Sequence, residues 1–191
     1  VGIQGAFVDV HLRNVSDRYD FDSVRIGIQP YNHDFRGFVF QDNQFGLRLF
    51  GTRKNNRFQY NLAWFRRLEK DTNSGLNDVN EGLRDDDVFV ANLYWQDALV
   101  QGHFLQFSLL YNRNREDRFF YDTNGFIQRP FSFGSERFRE YDAYYLGFST
   151  DGHIGRLNLT SSVYYLTGEQ EGSPFSDDDA DLSAWFAAAE A

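Results

Sequence analysis

The chain has no cysteine and no methionine, and only 3 of its 191 residues are proline. Without cysteine there is no disulfide framework and no thiol chemistry. So little proline leaves long extended segments unbroken. There is no run of about 18 apolar residues, so no transmembrane helix is encoded, and the mean hydropathy is −0.57. Basic charge is also scarce, 19 Lys and Arg against 28 Asp and Glu, for a net charge of −9. That balance speaks against nucleic acid as a partner, which requires a basic face.

Aromatic residues are abundant: they make up 18% of the chain, with 21 Phe and 11 Tyr. This composition favours strands over helices. The stretch RFQYNLAWFR at 57–66 alternates almost without fault. Phe58, Tyr60, Leu62 and Trp64 fall on one side, and Gln59, Asn61 and Ala63 on the other. Period-2 patterning predicts nine strands, over 1–12, 21–30, 44–50, 57–66, 87–96, 103–114, 140–149, 156–167 and 181–191. The alanine-rich 184–191 is the weakest of these, because its composition also suits a helix.

The connections alternate in length. RNVSDRYD, GTRKNN, DALVQ and TDGHIG are short. The segments after the second, fourth, sixth and eighth strands are longer. Up-and-down membrane barrels sort their loops in this way, with tight turns at one rim and larger loops at the other.

The apolar rows are Phe58-Tyr60-Leu62-Trp64, Phe89-Ala91-Leu93-Trp95, Leu105-Phe107-Leu109-Tyr111 and Leu157-Leu159-Ser161-Val163-Tyr165. Rings tend to close these rows and aliphatic residues to fill them. Phe58, Trp64, Phe89, Trp95, Tyr111 and Tyr165 are therefore candidates for an aromatic girdle at the level of lipid headgroups. The opposite rows read Gln59, Asn61 and Ala63; Gln106, Ser108, Leu110 and Asn112; and Asn158, Thr160 and Ser162. Uncharged polar rows suit a wet lumen better than a dry core, where every amide would need a partner. A soluble barrel or sandwich with a Tyr- and Phe-rich core would alternate as well.

The resulting expectation is an all-β fold, a transmembrane up-and-down antiparallel β-barrel, with residues 1–191 as a single barrel segment. The run VRIGIQPYNHDFRGFVFQDNQFGLRLFGTRKNNRFQYNLAWFRRLEKDTNSGLND, and YLGFSTDGHIGRLNLTSSVYYLTGE, resemble the strand–loop–strand runs of Gram-negative outer-membrane barrels. The manner is that of porins and proteins of the alginate-export type. The resemblance is one of pattern and carries over no individual binding residue. It implies residence in the bacterial outer membrane, contact with its lipid and lipopolysaccharide, and transport of small hydrophilic solutes, with the oligomeric state open. The terminal aromatic strand of such families is absent, since Ala191 ends the chain. An odd strand count and the two abrupt ends lead us to expect part of a larger barrel, of roughly 14–18 strands. An eight-stranded barrel closing within these residues is the smaller alternative.

Asp9 and His11 on the first strand, Arg25 on the second and Arg48 on the third share the non-lipid side. With Gln59, Asn61, Gln106 and Asn112 they are the lumen-lining candidates. Such charges either tune solute selectivity or pair with one another to brace the wall. Glu140 and Asp142 open the seventh strand, with their facing unassigned.

DTNSGLND at 71–78 places Asp71, Asn73 and Asp78 as a weak calcium candidate. Turn formation explains the same residues, as it does the partial repeat DTNG at 122–125. His33, His103 and His153 lie near turns in no zinc-binding spacing, and no GxSxG elbow occurs. No cofactor and no catalysis are implied. The aromatic segment GFVFQDNQFG at 37–46 is expected to pack on the rim. Three readings follow: a diffusion channel, a plugged scaffold barrel that binds a partner through acidic loops, and a surface enzyme without a recognisable nucleophile.

Overall fold

A computed structural model describes residues 2–71, 74–117, 120–121, 124–125, 127–129, 140–172 and 178–191. The strands are β1 (Ala6–Asn14), β2 (Phe21–Asn32), β3 (Gln41–Arg53), β4 (Phe58–Leu68), β5 (Leu83–Gln96), β6 (His103–Asn114), a small ribbon β7 (Phe120–Tyr121) and β8 (Ile127–Arg129), then β9 (Tyr141–Ile154), β10 (Leu157–Gln170) and β11 (Ala180–Glu190). Nine of them form one antiparallel sheet in the order β1-β2-β3-β4-β5-β6-β9-β10-β11. All nine expected strands are present, most of them longer than the alternation indicated.

The alanine-rich end is strand, paired with β10 from Thr160↔Glu190 to Gln170↔Ala180. A full ladder of partners overrides its helix propensity. The sheet is not closed: β1 pairs only with β2 and β11 only with β10. The eight-stranded barrel closing within these residues is therefore not formed.

Loop sorting follows the sequence pattern. Turns 15–20, 54–57, 97–102 and 155–156 lie at one end of the sheet, and the longer connections begin after β2, β4, β6 and β10 at the other. Lys54, Asn55 and Asn56 adopt φ of 55°, 59° and 63°, the left-handed region that asparagine tolerates better than most residues. This exposes two successive backbone N–H groups, and Asp20 of the neighbouring turn accepts both, at 3.0 Å from Asn55 and 3.1 Å from Asn56. Those donors hold the Asp20 carboxyl below the usual carboxylate range. The short-turn rim is thus cross-tied between hairpins.

The two faces of the sheet are inverted relative to a soluble domain. Leu62 is 50% exposed, while its neighbour Asn61 is 7% and Phe65 0% exposed. Along β6, Phe107 and Leu109 are exposed, while Gln106, Ser108, Leu110 and Asn112 are buried. The outward rows run in register across the sheet. One is Val8↔Ile26↔Leu47↔Trp64↔Phe89↔Tyr111↔Tyr144, and the next is Val10↔Val24↔Leu49↔Leu62↔Ala91↔Leu109↔Leu146. Ordinary one-sided sheets turn such rows to a core. Here they stand exposed among the described residues, and most polar residues of the opposite face on the inner strands are buried or half-buried.

Candidate functional site: an inner wall closed over by the 33–40 segment

On the enclosed face Asp9, Arg25 and Arg48 stand side by side on β1, β2 and β3. Arg25 donates twice to Asp9, Nε to Oδ1 at 2.6 Å and Nη2 to Oδ2 at 2.8 Å. This is the fork geometry in which charge and hydrogen bonding reinforce each other. Its guanidinium carbon also lies 4.2 Å from the Phe7 ring centroid. These two charges brace the wall. Arg48 differs: its Nε donates to Asn61 Oδ1 at 2.6 Å, and its guanidinium lies over Phe50 at 4.7 Å and Tyr31 at 5.3 Å.

The remaining candidates divide by position. Asp9 and His11 lie exposed on the edge strand, with His11 against Phe21 at 6.1 Å. Gln59 is half-buried between Thr52 and Tyr94. Asn112 is buried and donates to Asp86 Oδ1 at 2.5 Å. Asp86 in turn faces Arg67 at 3.4 Å and Arg84 at 3.5 Å, and Arg84 pairs with Glu116 at 2.9 Å. The long-loop end of the inner wall is held by this network.

Residues 33–40 do not lie on the rim. They fold inward across the enclosed face, and 41–46 belong to β3. The His33 carbonyl accepts from Asn92 Nδ2 at 2.8 Å, Gln106 Nε2 at 2.5 Å and Tyr94 Oη at 3.4 Å. Asp34, 2% exposed, accepts from Tyr164 Oη at 2.6 Å and from the backbone N–H groups of Arg36 and Phe38 at 2.8 and 3.2 Å. Phe40 packs on Tyr31 and Phe65, and these rings share an apolar cluster with Val88, Val90 and Leu110. Phe38 meets Phe186 of β11 at 4.9 Å, and Arg36 pairs with Glu190. One short segment thus touches β5, β6, β10 and β11. The reason is chemical. The inner wall offers amide and hydroxyl donors, and a carboxylate and a bare carbonyl satisfy them, while the rings cover the apolar part of that wall.

The wall is shaped for this. Tyr164 lies directly over Gly147, where a Cβ would fall 2.2 Å from the Tyr164 ring and 2.3 Å from Ser108 Oγ. Gly147→Val is expected to displace the ring, break the Tyr164–Asp34 bond and destabilise the fold by about 1–3 kcal/mol. Denaturant melts, together with amide exchange at Asp34, would check this.

On the outward face the girdle candidates are present as rings in contact. Phe58 stacks on Trp95 at 5.6 Å near the short turns. Phe89, Tyr111 and Tyr144 stack in series at 5.6 and 4.6 Å near the long loops. Tyr165 packs on Trp185 at 4.5 Å but shares the cross-strand row of Leu146, not that of Tyr144. Trp64 Nε1 donates to Asp87 at 2.8 Å and Tyr111 Oη to Asp142 at 2.5 Å. Both polar tips thus point toward a charged row of Arg66, Asp85, Asp87, Arg115 and Asp142 at the strand ends. Asp142 shares this outward row, and Glu140 reaches Arg115 at 3.2 Å.

Comparison with known families, characterised proteins and solved structures finds no match.

The calcium candidate divides. Asp71 Oδ1 accepts from the N–H and hydroxyl of Ser74, at 2.7 and 2.8 Å, and Asp78 from the N–H of Asn80 at 3.1 Å. This is turn chemistry. Asn73 lies outside the described residues, as do Asp122 and Thr123 of the second segment. Among the described residues no carboxylate–histidine group is arranged to hold a metal. Tyr164, Asn92, Tyr94 and Asp34, which seat the inner segment, were not among the sequence candidates. The local signal was the polar row of β6 that carries Gln106, Ser108 and Asn112.

Proposed function

We propose that the chain forms the wall of a bacterial outer-membrane channel, a porin-like β-barrel whose lumen is the enclosed polar face and whose constriction is the 33–40 segment. The observation that carries this reading is the inverted sheet, with polar rows enclosed and apolar rows uncovered. Lipid is the medium that stabilises such a surface, and a strand of about ten tilted residues spans its hydrocarbon layer. The aromatic rows, with Trp64 and Tyr111 donating toward charge, fit the two interfaces. The unpaired outer edges of β1 and β11 would meet further strands of a larger barrel, since a lipid-exposed edge leaves backbone groups unsatisfied. Small hydrophilic solutes would pass between the 33–40 segment and the Arg25–Arg48 wall.

The plugged scaffold is the second reading, favoured by the number of bonds that seat the inner segment. Planar-bilayer recording of the protein separates the two. Discrete open steps are expected of the channel, and silence would leave the scaffold reading in place.

A further inference from the structure

His33 is fully buried, and neither ring nitrogen has a hydrogen-bond partner among the described residues. Buried polar groups are rarely left so. It occupies the root of the inward segment, where its own N–H donates to the Phe40 carbonyl at 2.8 Å and its carbonyl takes the wall's donors. We infer that His33 is an acid-operated latch: its neutral ring permits the 33–40 segment to seat on the inner wall, and its protonation releases the segment.

The surroundings decide the sign. The ring lies 6.2 Å from that of Tyr164 of β10, while Tyr94 of β5 donates to the residue's carbonyl, and Asn92 Nδ2 donates both to that carbonyl and to Tyr31 Oη of β2. Gln106 of β6, buried and uncharged, donates to the same carbonyl, and buried Ser149 of β9 lies 3.4 Å from Tyr164 Oη. Among the described residues, the charged neighbour acting on the ring is Asp34, whose carboxylate is already engaged by Tyr164 and two backbone N–H groups. Asp34 favours the imidazolium, but burial outweighs it and pulls the ring down to about 4, against an ordinary value near 6.5.

Above about pH 6.5 the ring is neutral whether the segment is seated or released, so seating carries no proton penalty. As pH falls from there toward 4, a released segment takes up a proton that a seated one refuses. Release is therefore favoured progressively and reaches its limit below about 4, with a shift in the seated-to-released ratio on the order of a hundred-fold. A second cost acts in the same direction. An imidazolium has two N–H donors, and this site offers neither of them an acceptor among the described residues. The consequence for solute passage, a wider pathway in acid, rests on the channel reading. The release itself does not.

The test is amide exchange of the intact protein in lipid nanodiscs at pH 7.5 and 4.5, with rates corrected for intrinsic exchange. Protection of the His33 and Gly37 amides is expected to fall on the order of a hundred-fold in acid, while strand amides such as those of Leu62 and Leu109 hold. His33→Phe keeps a ring without a proton site, and His33→Gln keeps a neutral polar group; both are expected to lose the pH dependence. Protection that is independent of pH in the wild type, or a loss that persists in both variants, overturns the latch. If both substitutions unseat the segment at neutral pH, the ring nitrogen shifts of wild-type His33 decide. A ring that charges in the interval where protection is lost upholds the proposal, and one that stays neutral overturns it. Bilayer recordings in parallel keep the two readings apart. Silence at both pH values with acid-dependent exchange sinks the channel and leaves the latch. Open steps with pH-independent exchange do the reverse.

Discussion

Leu62→Arg is expected to destabilise the protein in bilayers by about 2–4 kcal/mol, the cost of an arginine on the lipid side of a barrel near midplane. Leu62 sits mid-strand in the outward row Leu49↔Leu62↔Ala91 and is half exposed, with no layer of the described residues above it. In a water-soluble sheet the same site is surface, and a surface substitution there would change stability by no more than about 0.5 kcal/mol. Paired refolding of wild type and variant into phospholipid vesicles measures the difference. The neighbouring inward site gives the control. Asn61→Arg places its charge beside the Arg48 contact, where any loss reflects local repulsion and not depth in a bilayer.

The second large effect concerns passage. Replacing residues 34–39 with Asn-Gly, a two-residue hairpin turn, removes Asp34, Arg36 and Phe38 and with them the contacts to Tyr164, Glu190 and Phe186. On the channel reading, single-channel conductance is expected to rise several-fold, because the segment folded over the inner face is gone. The β2–β3 ladder from Asn32↔Gln41 to Asp22↔Gly51 lies outside the deletion, so strand content by circular dichroism should be unchanged. Unchanged conductance with intact strands would show that the segment does not stand in the pathway.

The nine strands were legible because a pleated strand writes its two faces into alternate residues. Leu105 to Asn112 alternates, with the inward Leu110 as its one lapse, and gives both position and facing. The strand ends were less legible. β10 continues through Gly168, Glu169 and Gln170, where the outward row changes from apolar to charged, and hydropathy alternation stops marking a ladder that backbone pairing continues. The inward seat of 33–40 was not legible at all. Its bonds join residues as far apart as Asp34 and Tyr164, and nothing local to His33-Asp34 distinguishes a rim loop from one that docks across the sheet. The inward polar residues, Gln106 among them, signalled that partners were needed. They did not say that two of those needs would be met by one backbone carbonyl.

The central claim is that the uncovered apolar face meets lipid. Because the chain has no cysteine, single cysteines can be placed in turn from Leu105 to Asn112, labelled with an environment-sensitive fluorophore and exposed to quencher-bearing lipids in reconstituted vesicles. The account predicts strong quenching at 105, 107, 109 and 111 and weak quenching at 106, 108, 110 and 112. Equal quenching at both sets, or quenching confined to the even positions, would contradict it.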